Sequence, residues 1–214
     1  MKADGTILAR KFIDFTSDKD RMIHAMNRTR RKQSKYGPRS ATSLWAYVKR
    51  LNNNRAKKTA SAIVEFAAQN SVDVIVMEHL DFKCCKKRGS KAQKLSMWNH
   101  GAIRKCVEQK AHLRGIRIAT IYAWKTSALA FDGSGSVARD DNNHALATFT
   151  TGKQYNCDLS ASYNIGARYF IRELLKSLSA TEESRVKAKV PDVGRRTSCT
   201  LSTLRTLVKE LAAA

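Results

Sequence analysis

A chain of 214 residues, 43% of them hydrophobic, is long enough for one domain with a substantial core and too apolar to be disordered throughout. Forty Lys and Arg against 18 Asp and Glu give a net charge of +22. That excess argues against a typical small-molecule enzyme and for a polyanionic partner, nucleic acid ahead of an anionic membrane surface. No apolar stretch reaches the length of a membrane span, and Met1-Lys2-Ala3-Asp4-Gly5 lacks the apolar run of a signal peptide. The five cysteines (Cys84, Cys85, Cys106, Cys157, Cys199) include no CxxC pair. They read as reduced cytosolic thiols and exclude a zinc finger of the usual spacing.

Asp4-Gly5, between extended segments, is a hairpin turn signal. Its first arm is only Met1 to Ala3, so the chain reads as starting one strand late. Ser17-Asp18-Lys19-Asp20 predicts a helix with Ser17 as N-cap, running to about Tyr36 and ending at Gly37-Pro38. Its polar face carries Arg21, Arg28, Arg30, Arg31, Lys32 and Lys35. Such a run is commonly a solvated face, but the net charge favours phosphate contact, with Arg30 and Arg31 as nucleic-acid-binding candidates.

A long helix is predicted over 41–70, because Leu44, Val48, Leu51, Ala56, Ala60, Ile63, Val64 and Ala67 recur at helical spacing. Asn52-Asn53-Asn54 is the place for a kink or a split. The β-branched, mostly apolar run 72–78 predicts a buried strand closing on Glu78. Residues 81–96 form a Lys-dense loop around Cys84-Cys85, with Lys91 and Lys94 as further nucleic-acid contacts.

A third helix is predicted from Met97 to Arg114, stopped by Gly115, and a strand over 116–121. The Gly-, Ser-, Asp- and Asn-rich stretch 126–157 reads as an irregular insertion with short strand candidates such as 146–150. Asp158 starts a helix to about Ser177. Residues 179–197 read as a polar, exposed linker and 200–211 as a short closing helix. Strands alternating with helices predict an α/β domain with a mixed sheet.

The chemistry rests on two carboxylates. Two-metal phosphodiester cleavage needs several carboxylates around ions roughly 4 Å apart, and Mg²⁺ prefers oxygen ligands. Glu78 at a strand end and Asp158 at a helix start converge if strand and helix pack side by side. Each has a plainer reading: a solvated strand end for Glu78, and a cap or first-turn residue favoured by the helix dipole for Asp158. His79 alternates to the face opposite Glu78 and reads as structural. Trp98 and Trp124 have two readings, stacking on bases as in single-strand channels and core packing or helix anchoring, of which the second is the commoner and is favoured for both. Tyr155, just before the Asp158 helix, is the candidate for contact with the strand being cut. Gly133-Ser134-Gly135 is not a phosphate loop, since no Lys-Ser/Thr follows.

Three words occur in order: Val-Ile-Val-Met-Glu-His-Leu (74–80), Thr126-Ser127, and Asp158-Leu159-Ser160-Ala161-Ser162-Tyr163-Asn164-Ile165-Gly166. They resemble the second and third RuvC motifs, and the intervening threonine-serine, of the transposon-encoded TnpB (OrfB) proteins, relatives of the type V CRISPR effector nucleases. The resemblance runs over about residues 1–178 and is most specific over 158–168. It implies an RNase H-like (RuvC-type) α/β fold, a mixed sheet flanked by helices, and RNA-guided DNA endonuclease activity with Mg²⁺. It also implies DNA and a guide RNA as partners, no membrane, and a prokaryotic cytoplasm. Glu78 matches the second-motif glutamate and Asp158 the third-motif aspartate. Asn164 matches the asparagine of the Asp-x-x-Ala-x-x-Asn pattern and is expected to support the site rather than bind metal.

The sequence departs from that pattern in three places. The first-motif aspartate, on the first strand, has no counterpart before Asp4, and Asp4 itself fits the turn. The zinc ribbon that follows the threonine-serine lacks its cysteine pairs, so the insertion reads as degenerate and no zinc is expected. The resemblance also implies N-terminal domains that recognise guide and target, and these are expected to be missing from this sequence as well. The expected organisation is a nuclease domain over 1–178, incomplete at its N-terminus and carrying the insertion 126–157, then a linker and short helix over 179–214. With one ligand gone, Mg²⁺ is expected only if another segment supplies the aspartate, and the chain alone is expected to cleave little or nothing. The rival readings are a non-catalytic, nuclease-dead TnpB derivative and a basic RNA-binding structural protein, which explains the charge but not the motif order.

Overall fold

Glycines end two of the long helices where their sequences say they should. Gly37 (φ 89°) follows the first and Gly115 (φ 69°) the turn after the third, both in the region that costs any other residue steric strain. The computed structural model describes residues 1–80, 99–141, 143–195 and 197–213. Lys91, Lys94, Cys84, Cys85 and Trp98 lie outside them. The chain forms two compact units. One holds Lys11–Ile75 and the described residues up to Ile118; the other holds Met1–Arg10, the chain from Val76 to the end of the first strand, and the chain from Ala119 onward.

In the first unit, α1 (Thr16–Tyr36) starts one residue before Ser17, with Phe15 in the cap position and no side-chain cap. It buries Met22 and Thr29, and Thr29 satisfies its hydroxyl on the Ala25 carbonyl (2.8 Å). Arg28, Arg30, Arg31, Lys32 and Lys35 are exposed. A 3₁₀ turn, Pro38–Ala41, leads into α2 (Thr42–Gln69).

The three asparagines do not split α2, which runs unbroken for 28 residues. Its buried stripe is Val48, Asn52, Ala56, Ala60, Val64 and Ala67, narrower and smaller than the predicted set. Small residues at this spacing let α1 and α3 (His100–His112) pack closely against it. Asn99, just before α3, donates from Nδ2 to the Asn52 carbonyl and to Asn53 Oδ1, each at 3.4 Å, so the polar run serves a helix contact.

The strands β1 (Val74–His79) and β2 (Arg117–Tyr122) form a two-stranded sheet. β1 starts two residues later than its apolar run suggested. It is half-buried up to Glu78 and exposed at His79, rather than fully buried.

In the second unit, Asp4-Gly5 does make a turn: Gly5 N–H donates to the Lys2 carbonyl (3.1 Å), Lys2 N–H to Thr6 (2.9 Å), and Gly5 has φ 82°. Neither flank is a strand, so the turn forms without a hairpin. The insertion is more regular than predicted. β3 (Ala138–Arg139), β4 (Leu146–Thr148) and β5 (Gln154–Asn156) form an antiparallel sheet with β4 central and Ala147 opposite Tyr155. Gly133 turns at φ 83° where an added Cβ would sit 3.0 Å from Ser202 Cβ, so the loop lies directly on the residue that follows it in space.

α4 (Cys157–Ser177) follows, then α5 (Ala180–Lys189), a 3₁₀ turn (Pro191–Gly194) and α6 (Leu201–Ala212). The stretch read as an exposed linker is therefore largely helical. Ser179 and Glu182 close a capping box, and Val186, Val190 and Val193 are buried. They pack with Tyr163, Ala167 and Ile171 of α4 and with Leu201, Leu204 and Leu207 of α6. Each leucine so buried contributes about 1.5–3 kcal/mol over leaving it in water. Over the described residues the fold is mixed α/β with helices dominant and two small sheets. Among the described residues, no helix is long and apolar enough to cross a membrane.

Candidate functional site

Glu78 is held by β1, and Asp158 by the first turn of α4. Asn156, not Asp158, caps α4: its Oδ1 accepts the Leu159 N–H at 3.0 Å. That leaves the Asp158 carboxylate exposed and free of capping duty, on the favourable end of the helix dipole. Partial burial, and then the Asp158 charge, hold the Glu78 carboxyl above the usual glutamate range. The two carboxylates singled out in the sequence are thus brought close enough to repel. Two residues after Asp158, the buried Ser160 hydroxyl has no hydrogen-bond partner among the described residues.

Asn164, two turns along α4, is fully buried and fully used. Its Nδ2 donates to the carbonyls of Thr126 (3.0 Å) and Leu129 (2.9 Å), and its Oδ1 accepts the Leu201 N–H (3.2 Å). An amide, with two donors and an acceptor, is the side chain this junction needs. It fastens the Thr126–Leu129 segment and the start of α6 to the helix bearing Asp158. Thr126 is itself buried and bonded to the Ala123 carbonyl (2.9 Å). The threonine-serine word and the asparagine of the third motif therefore meet in space.

Sequence reasoning missed Arg168. It is 6% exposed and surrounded by carbonyls: Nε donates to Cys199 (3.1 Å), Nη1 to Tyr122 (3.1 Å) and Trp124 (2.8 Å), and Nη2 to Thr197 (2.6 Å). Burial lowers its pKa from the ordinary value. A cation in the interior is tolerable here because its fork of donors is spent on carbonyl dipoles. The available signal was its place at the end of the 158–168 segment, one turn beyond Asn164.

Tyr155 is half-buried, and its hydroxyl meets that of Tyr163 at 3.1 Å. Phe131 packs edge-on against both rings, and the Lys153 ammonium lies 4.9 Å from the Phe131 centroid and 5.3 Å from that of Tyr155. Burial and the Tyr155 hydroxyl push the Tyr163 phenol up to about 12. His79 is exposed. Trp124, read as a packing residue, is also exposed, because its turn is held from below through its backbone carbonyl rather than through its ring. Arg30 and Arg31 lie exposed on α1, in the other unit. Among the described residues, no group of three His, Cys, Asp or Glu side chains comes together.

In fold the chain is similar to Cas12f1, whose structure was solved by cryo-EM as a Cas12f1–sgRNA–target DNA complex. The TM-score is 0.54 at 18% identity, over 74% of this chain and 44% of that one. The chain thus spans less than half the length of Cas12f1, and at this identity the similarity is one of fold. No protein-family model matches the sequence, and no curated protein matches it.

Proposed function

We propose that this chain is the RuvC-like nuclease portion of an RNA-guided DNA endonuclease of the TnpB type, with Glu78 and Asp158 as ligands of a divalent-metal centre. The observation that carries this reading is the carboxylate pair, in which partial burial first and the charge of Asp158 second raise the pKa of Glu78. Like charges held together at a strand end and a helix start are what a hard dication neutralises. The fold similarity to part of Cas12f1 supports the same reading, and the DNA and guide RNA of that complex are carried to this chain by analogy alone.

The donor set fits Mg²⁺, which takes one or two carboxylates and fills its remaining positions with water or phosphate oxygens. Bound there, the metal supplies a lowered water pKa and charge for the leaving oxygen in phosphodiester cleavage. Glu78 and Asp158 would hold it from two elements. Asn164 keeps the helix bearing Asp158 fixed to its neighbouring loop and to α6. Arg30 and Arg31, with Lys91 and Lys94, would draw in the polyanion, and Tyr155 would border the strand at the start of α4. Among the described residues no third ligand joins the pair, and an aspartate at the end of an added strand would complete it.

A Mn²⁺ titration tests this, with the chain alone and with an added peptide whose strand ends in an aspartate. Mn²⁺ binding that tightens with the peptide and disappears in Glu78→Ala supports the proposal. Binding that is the same in wild type and Glu78→Ala sinks it. A second reading, a nuclease-dead nucleic-acid-binding module, is favoured by the lack of a third grouped ligand among the described residues. It expects no metal response under either condition.

A further inference from the structure

We propose that the chain leaving β2 is a stacking platform for single-stranded nucleic acid, with Tyr122 and Trp124 holding unpaired bases and Arg172 and Lys176 taking the adjoining phosphates. The inference rests on the nucleic-acid reading above but not on the metal centre.

Tyr122 and Trp124 are 62% and 59% exposed, two residues apart. Aromatic rings this large are highly buried on average, and two left in water only two residues apart mark a contact surface. Their backbone is anything but loose. One nitrogen, Arg168 Nη1, binds both of their carbonyls, and the rest of that guanidinium is anchored on Thr197 and Cys199. The rings are thus offered to solvent from a fixed support, which lowers the ordering cost of stacking a base on them.

Tyr122 also borders a cavity of about 720 Å³. Arg168, Arg172 and Lys176 line it at successive four-residue steps along α4, and Ile171 and Leu175 give it an apolar floor. This apolar lining with Arg172 and Lys176 beside it suits the flat face of a base and the charge of its phosphate, and Glu183, the carboxylate in the lining, is paired with Lys187. The net charge of +22 supplies the long-range attraction for such an anion. Both cations are now neutralised by one carboxylate, Glu173, which accepts from Arg172 (2.9 Å) and Lys176 (3.2 Å). An incoming phosphate competes with Glu173 for the same donors. Duplex DNA does not fit the proposal, because its base faces are already stacked on one another. Single strands present them freely.

The test is fluorescence anisotropy of a labelled thymidine 15-mer with the full chain, in EDTA, against a duplex of the same length and a uridine 15-mer. Tyr122→Ala and Trp124→Ala are each expected to weaken single-strand binding about 5- to 100-fold and leave duplex binding unchanged. Trp124→Phe, which keeps a ring, is expected to retain most of the affinity, and Glu173→Gln to tighten binding. Unchanged affinity in both alanine variants overturns the proposal, and so does an equal loss on single strands and duplex. The uridine arm separates RNA from DNA as the preferred strand. Since EDTA removes metal from the measurement, a failure here leaves the Glu78–Asp158 reading standing.

Discussion

Asp158 reaches Glu78 electrostatically across the space between α4 and β1, and the glutamate responds with a raised pKa. Burial of Glu78 acts first and the neighbouring charge second, and both disfavour its ionised form. The folded state therefore binds this proton more tightly than the unfolded chain does.

The sign of the pH effect follows. Glu78 favours folding at acid pH, and that contribution is lost as the pH rises through its elevated folded-state pKa. Glu78→Gln, which mimics the protonated form, is expected to melt at a higher temperature than wild type at neutral pH. The difference should close as the pH falls below about 4.5, the ordinary glutamate value. Melting curves of the two proteins from pH 4 to 8 check this, and a difference independent of pH contradicts it.

Removing the Asn164 amide strands two carbonyls and one N–H in the interior. Asn164→Ala is expected to cost roughly 2–4 kcal/mol in urea unfolding. Asn164→Asp should do no better, because a carboxylate facing the Thr126 and Leu129 carbonyls has nothing to donate. A stable Asn164→Asp variant contradicts the hydrogen-bond assignment.

Arg168→Met keeps most of the volume and removes every donor. A loss of about 3 kcal/mol or more is expected, since four carbonyls then face a thioether. For a chain of this length each kcal/mol is worth about 2–4 °C in Tm. Arg168→Lys should recover little, because an ammonium does not span the same fork. Differential scanning calorimetry of the two variants decides.

Binding to any single strand should weaken steeply with salt, with a slope of about −0.7 in log–log form for each phosphate neutralised. Arg31→Ala should flatten that slope by about 0.7. An unchanged slope excludes Arg31 from phosphate contact.

Much of this was legible in the residues. Helix α4, its acidic first turn and its asparagine were written in the 158–166 word, and the glycines after Tyr36 and Arg114 ended their helices as read. What stayed hidden was partnership at a distance. Arg168 looks like any surface arginine until segments far along the chain turn their carbonyls toward it. Trp124 looked like a core residue because nothing local reveals that its support comes through its backbone. Helix α5 is different: Ser179-Ala180-Thr181-Glu182 is a capping-box signature, and Val186, Val190 and Val193 fall at i, i+4 and i+7. Both signals were present, outweighed by the polarity of the residues around them. The asparagine run in α2 misled for the opposite reason, since asparagine carries only a weak penalty in a helix and here gains contacts with Asn99.

The four carbonyls gathered by Arg168 have a consequence for how the molecule breathes. The stretch 122–124 and the stretch 197–199 share one anchor, so neither can open to solvent without releasing the other. In hydrogen exchange they should lose protection as a single cooperative block, although more than seventy residues of chain separate them.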